Sequence, residues 1–366
     1  MEKSNTRLLS LDILRGLTII LMIIVNDPGS WDHVYAPLLH ADWNGLTPTD
    51  YIFPTFIFIV GVSIVLSLTK QIEKGLTRKQ LVRKVLLRSL KIYLVGLFLW
   101  LWPSFDFGRI RWVGVLPRIA LVYMVCALLF LYTKRKTQFI IASVILLLYW
   151  LVMKYLPVPG IGMPDLSEPG KNLANYLDQN YLPGYLWRKT WDPEGILSSF
   201  PAVVTGLLGM MAGFILISKA KLKDKLLKLF IMAGTLLIFG DVFQYLMPIN
   251  KSVWSSSFLL ITGGISCLLL ALFVYWVDIK DQKAKFKMAR VFGINAIFAY
   301  TLAGIFYTFF YSEKLWGISL STTFVENAIA MGVAPKFASL VYAMLYVVII
   351  WIPTHQLFKR KIYIKL

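Results

Sequence analysis

Apolar runs of bilayer length, repeated along the chain, constrain the fold more than any other feature. A membrane helix needs about 20 mostly apolar residues to cross a hydrocarbon core about 30 Å thick. Ten segments approach that length: Leu11–Val25, Thr49–Thr69, Ser89–Trp102, Val113–Thr133, Phe139–Leu156, Leu197–Ile217, Leu229–Met247, Ser255–Val277, Val291–Tyr311 and Phe337–Pro353. In hydrocarbon the backbone must satisfy its own polar groups, so the expectation is an all-α, polytopic membrane protein. Composition agrees: 58% of the 366 residues are hydrophobic and 16% charged, against roughly 45–50% and 25% in soluble domains. A soluble globular domain, a disordered chain and a disulfide scaffold are excluded. Cys126 and Cys267 fall inside expected spans and read as small core residues.

A net charge of +19 would ordinarily suggest a nucleic-acid partner. The placement of the charges argues otherwise. Ten spans put both termini on one side. If that side is the cytoplasm, 28 of the 38 Lys and Arg residues lie there, but of the 19 acidic residues only Glu2, Asp12, Glu73, Asp224, Asp278 and Asp281 do. The basic bias sets the orientation, and the surplus charge faces anionic lipid. The expected organisation is one membrane domain over residues 1–366, with extracytoplasmic loops at about 26–48 and 157–196. Asp12 and Arg15 interrupt the first apolar run, and no small-residue cleavage site follows Val25, so it reads as a retained span. The longer loop opens Pro/Gly-rich, passes a short helix expected over Asn172–Asn180, and ends in YLPGYLWRKTWDPEG. A connection of this length, rich in aromatics and carboxylates, is expected to be functional. No internal repeat or matched pair of broken helices favours a secondary transporter.

Each polar candidate has a structural and a chemical reading. Asp12 and Arg15 share a helix face, as a fixed ion pair or with Arg15 facing a cytoplasmic anion. Asn26, before Pro28 and Gly29, reads as a helix C-cap or a hydrogen-bond donor in a site. His40 precedes ADWNGLTPTD. That run suits either a capped helix start, with Thr47 or Thr49 as cap and Asp50 in the first turn, or a site in which His40 moves a proton. Arg111 and Arg118, about two helical turns apart, need an anionic partner in the membrane: an internal acid such as Asp50 or Asp241, or a ligand phosphate or carbonyl. Asp192 and Glu194 in WDPEG suit a helix N-terminus or a sugar or amine. Asn250 and Lys251 in PINKSVW cap two helices or contact substrate. Gly61–Ser63 reads as small-residue helix packing. No metal-ligand spacing such as HExxH or CxxC occurs.

Taken in order, RLLSLDILRG, VN, HADWNGLTPTDYIFPTFIFIVG, RWVGVLPR, WDPEG, PINKSVWSSSF and FGINAIFAY, from Arg7 to Tyr300, resemble the heparan-α-glucosaminide N-acetyltransferase family. These are multi-span acyltransferases with a lysosomal animal member and bacterial relatives. The resemblance implies transfer of an acetyl group from cytoplasmic acetyl-CoA to an amino sugar on the opposite side. It implies His40 as the catalytic histidine and Asn26 as the active-site asparagine. Around them, Trp43, Asn44, Asp50, Asp192, Glu194, Asn250 and Lys251 are candidates for the acceptor, and Arg15, Arg111, Arg118 and Asn295 for acetyl-CoA. Two departures bear on the acceptor: the animal enzyme's extra N-terminal part and first span have no counterpart here, and the interval from Asn26 to His40 is longer.

The expected mechanism is direct transfer. His40 deprotonates the acceptor, Asn26 donates to the thioester oxygen, and Asp192 or Glu194 binds sugar hydroxyls or orients His40. An acetyl-histidine intermediate, O-acetylation of a cell-wall or surface glycan, and a non-enzymatic sugar transporter are the alternatives. The expected setting is the inner membrane of a bacterium, with a homo-oligomer left open.

Overall fold

The structure is a computed structural model that describes residues 8–364, except for the side chains of 314 and 315. Glu2, Lys3, Arg7 and Lys365 of the charge tally lie outside the described residues. The principal helices, in chain order, are α1 (Leu9–Asn26), α2 (Ile52–Glu73), α3 (Arg78–Leu101), α4 (Val115–Tyr132), α5 (Arg135–Tyr155), α6 (Leu173–Tyr181), α7 (Ser199–Ile217), α8 (Leu222–Phe243), α9 (Ser256–Phe273), α10 (Lys287–Ile294), α11 (Ala296–Tyr311), α12 (Glu313–Trp316), α13 (Leu320–Ala330) and α14 (Pro335–Lys359). Among the described residues no strand forms; Arg111 with Gly184 and Val158 with Gly162 make isolated bridges.

The all-helical expectation holds, but among the described residues length and hydropathy qualify eight helices as candidate membrane spans, or up to nine if α10 and α11 with the turn before them count as one bent span. Two expected spans differ for identifiable reasons. The third begins at Arg78 instead of Ser89, because Thr77 and Gln80 form a capping box that starts α3 among its basic residues. The ninth breaks at Asn295 with a 74° bend. The Asn295 amide donates to the Ile362 carbonyl at 3.1 Å and accepts from the Ile364 N–H at 3.0 Å. It therefore ties the chain's tail into the helix break.

Contacts divide the described residues into two compact units, 8–39 with 269–364 and 40–268. The boundary falls inside α9, where no linker composition marks it. In the first unit α1 and α10 meet backbone to backbone. A Cβ on Gly16 would lie 1.6 Å from the Ala289 carbonyl oxygen, and one on Gly293 would lie 1.7 Å from that of Asp12. In the second unit α2 and α7 use the same device. A Cβ on Gly61 would lie 2.0 Å from the Gly206 oxygen, as would one on Gly209 from Phe58. Small residues permit this approach where hydrophobicity alone gives apolar helices no preference for one another over lipid. The Gly61–Ser63 expectation is met. Thr55 of α2 and Ser266 of α9 add a buried hydroxyl pair at 2.9 Å.

Candidate active site

Three segments of the second unit come together at one end of its helices: the run from His40 to Asp50, the loop over 157–196, and the turn after α8. The Trp43 indole and the Asn44 amide each donate to the Leu166 carbonyl at 2.9 Å. Gly45 N–H donates to Ile249, and Asn250 donates to the Asn44 side-chain oxygen at 3.0 Å. Trp43 is buried, edge-on to Trp191 at 5.3 Å, in a cluster with Tyr149, Met153 and Leu173. Its indole is thus in the core and not open to an acceptor.

Asp50 shows how one carboxylate serves both readings of this segment. Thr47 caps a short turn, Pro48–Tyr51, that leads into α2, and Asp50 reaches back in a capping box. Its Oδ2 accepts from Thr47 N–H at 3.0 Å, Thr47 Oγ1 at 3.0 Å and Ala41 N–H at 3.2 Å. Its Oδ1 lies 2.7 Å from His40 Nδ1 and 3.3 Å from Lys251 Nζ. The Asp50 side chain is wholly buried, while that of His40 is 46% exposed. Lys251 Nζ also lies 2.8 Å from His40 Nδ1 and 3.1 Å from Nε2. A protonated Nδ1 donates best to the charged acceptor, Asp50, so Lys251 is left to Nε2 and Asp50. Burial pulls the Lys251 ammonium below the usual lysine range, partly offset by Asp50 and Glu194. The expectation that Asp192 or Glu194 orients His40 is corrected: Asp50, ten residues along the chain, does so.

Both arginines meet the WDPEG segment, not Asp50 or Asp241, but only Arg111 meets its carboxylates. Arg111 Nε and Nη2 grip Asp192 at 2.7 and 2.6 Å, and Nη2 also reaches Glu194 at 2.6 Å. Burial alone would lower the Arg111 pKa; its bonds to Asp192 and Glu194 more than reverse this and raise it. Asp241 lies in the last turn of α8, exposed, and accepts from Gln244 at 2.6 Å. It is not a mid-helix partner, because α8 ends at Phe243 and not Met247. Arg118 Nη2 donates to Ser198 Oγ at 2.5 Å and to the Gly195 carbonyl at 3.3 Å. Its guanidinium lies over the Trp254 ring at 5.1 Å.

One residue of this cluster was not among the sequence candidates. Asp178, on α6, accepts from the N–H groups of Asp192 at 3.3 Å and Ile196 at 2.9 Å, gathering the WDPEG turn around itself. Burial pushes its carboxyl up to about 6, against the pull of those N–H bonds. The only signal in the sequence was its place in the expected short helix, which forms over Leu173–Tyr181 with Asn172 as its cap.

The remaining candidates belong to the first unit. Asn26 ends α1 and is exposed, with Asp27 in the C-cap position. Arg15 pairs with Asp12 at 3.2 Å and donates to the Gly293 carbonyl at 3.2 Å. Asn295 holds the tail segment, as described above. Among the described residues no three His, Cys, Asp or Glu side chains gather as a metal site.

A family model, "Heparan-alpha-glucosaminide N-acetyltransferase, catalytic", matches residues 7–246. The heparan-alpha-glucosaminide N-acetyltransferase of Homo sapiens is 30% identical over 363 residues, covering 83% of this chain and 54% of that protein. The Mus musculus protein of the same name is 28% identical over 405 residues, covering 94% and 60%. The chain thus spans little more than half the length of the curated relatives it matches.

Proposed function

Because this chain belongs to the heparan-alpha-glucosaminide N-acetyltransferase catalytic family, we propose that it is a membrane acetyltransferase. In this reading it moves the acetyl group of acetyl-CoA to the amine of a glucosamine-type sugar. The observation that carries the reading is the His40–Asp50–Lys251 cluster: an accessible imidazole fixed through Nδ1 by a wholly buried carboxylate.

Asp50 holds the proton on Nδ1 and leaves the Nε2 lone pair for chemistry. The acceptor displaces Lys251 from Nε2, and His40 takes a proton from the acceptor nitrogen. That nitrogen attacks the thioester carbon, the C–S bond breaks, and His40 returns the proton to the departing sulfur. Such general acid–base catalysis is worth about 10²–10⁴-fold. The family resemblance alone, and no geometry, gives Asn26 the role of donor to the developing oxyanion, worth about 3 kcal/mol. Asn44 and Glu194 are assigned to the acceptor, while buried Asn250 holds Asn44 in place. Arg111 with Asp192 positions the loop that carries Glu194. Direct transfer is preferred to an acetyl-histidine intermediate.

We place ten spans in the membrane by adding the apolar half of α3 and the bent α10–α11 pair. Both termini are then cytoplasmic, in the inner membrane of a bacterial cell, as the bias of 28 basic residues supports. The test is purified protein incubated with acetyl-CoA and glucosamine, read by mass spectrometry for a single acetyl addition. Acetylated glucosamine from the wild type and a loss of about 10²-fold or more in His40→Ala are expected. Equal turnover in the two would overturn the site. Acetyl-enzyme accumulating without acceptor would replace direct transfer by the two-step route.

A further inference from the structure

α3 and α4 touch where Gly96 meets Pro117; a Cβ on that glycine would lie 2.5 Å from the proline Cδ. Beside this contact the helices part around a cavity of about 370 Å³. Its walls are the side chains of Leu86, Leu90 and Tyr93 from α3 and Leu121 and Met124 from α4. Leu86, Leu90 and Leu121 are 45%, 53% and 38% exposed, so the cavity opens sideways, between helices, onto an apolar surface. In a polytopic chain such a surface faces lipid.

The inner end is different. Arg118 lines it at 2% exposure, with Glu194 and Ser199 beside it. Only Nη2 of the guanidinium has acceptors; buried Nε and Nη1 have none. No carboxylate lies within ion-pair distance of Arg118 among the described residues, since Arg111 takes Asp192 and Glu194. A buried donor without an acceptor is costly, and intramembrane arginines are ordinarily paired. Two guanidinium nitrogens without acceptors, on a residue that lines an apolar cavity, therefore call for a ligand that brings its own oxygen.

We propose that this cavity binds a membrane lipid, entering sideways, with an acyl chain along α3 and α4 and a head-group oxygen on Arg118 Nε and Nη1. The apolar lining and lateral mouth select the bilayer over water as the source. The proposal does not depend on the acetyl-transfer reading, although Glu194 of the lining also belongs to that reading.

The full chain is reconstituted in phosphatidylcholine vesicles containing phosphatidylglycerol with a diazirine on its acyl chain, then illuminated and mapped by peptide mass spectrometry. Label is expected to concentrate on residues 86–93 and 117–124. It should exceed that on α5 and α8, whose surfaces are only 22% and 17% buried, by about tenfold, equivalent to about 1.4 kcal/mol of preference. Ala120→Trp fills the cavity, and Leu121→Trp blocks its mouth from an exposed position that folding tolerates. Each should abolish the excess on α3 and α4 and leave α5 and α8 unchanged. Arg118→Gln should lower the excess. Label no denser on α3 and α4 than on α5 and α8, or an excess untouched by both tryptophans, overturns the proposal. An excess unaffected by Arg118→Gln overturns the head-group contact.

Discussion

His40, Asp50 and Lys251 form one charged cluster of the second unit; Arg111, Asp178, Asp192 and Glu194 form another. In the first, a half-open imidazole stands between a buried carboxylate and a lysine weakened by burial. Its proton positions are adjustable. In the second, Asp192 is closed on both oxygens by Arg111 and also accepts the N–H groups of Trp187 and Glu194. Those bonds fix a turn. Density of charge therefore does not single out the candidate reactive site; an open ring nitrogen does. The WDPEG carboxylates, which the sequence offers as substrate ligands, chiefly hold the loop in shape.

Variants can break this contrast, the largest expected effect first. Asp192→Ala leaves Arg111 buried with half its partners and should destabilise the protein by about 3–5 kcal/mol, read as a lower thermal midpoint in detergent. Asp50→Asn should cost the transfer reaction about 10²-fold or more by losing the fixed histidine tautomer. Rate measurements checked against an unchanged thermal midpoint would isolate that effect. If Asp192→Ala instead abolishes turnover while the midpoint stays put, the roles of the two clusters are reversed.

Asp178 sharpens the comparison through pH. Its carboxyl is raised from 3.8 to about 6, so between those values the folded chain holds a proton that the unfolded chain has released. This contribution to stability is full below the unfolded pKa and is lost as the pH rises through the folded one. The wild type should lose stability relative to Asp178→Asn between pH 4 and 6, by up to about 3 kcal/mol, and hold level above. A parallel pH dependence in both proteins would remove Asp178 from the account. Smallest is Ser198→Ala, which takes one acceptor from Arg118 and should cost about 1–3 kcal/mol in the same unfolding measurement.

The legible part of the site was its local part. Thr47 or Thr49 with Asp50 announce a capped helix start, Asp12 and Arg15 a helical pair, and Asn172 a helix start; that Thr47 is the cap was the structure's to decide. Partners distant in the chain were not legible. Lys251 stands 211 residues from His40, and Asp192 stands 81 from Arg111. Asp241 looked central to its helix because the apolar run continues to Met247, whereas α8 ends at Phe243.

The sequence by itself determined that this is a chain of apolar helices of bilayer length, because transfer into hydrocarbon is nearly additive over neighbouring residues. Its ordered motifs also pointed to the family. Tertiary structure alone decided which carboxylate orients His40, which pair builds the loop, and that Arg118 keeps two donors free beside an apolar cavity. A charge's partner depends on distance in space and on exclusion of water, and neither is written in the order of the residues.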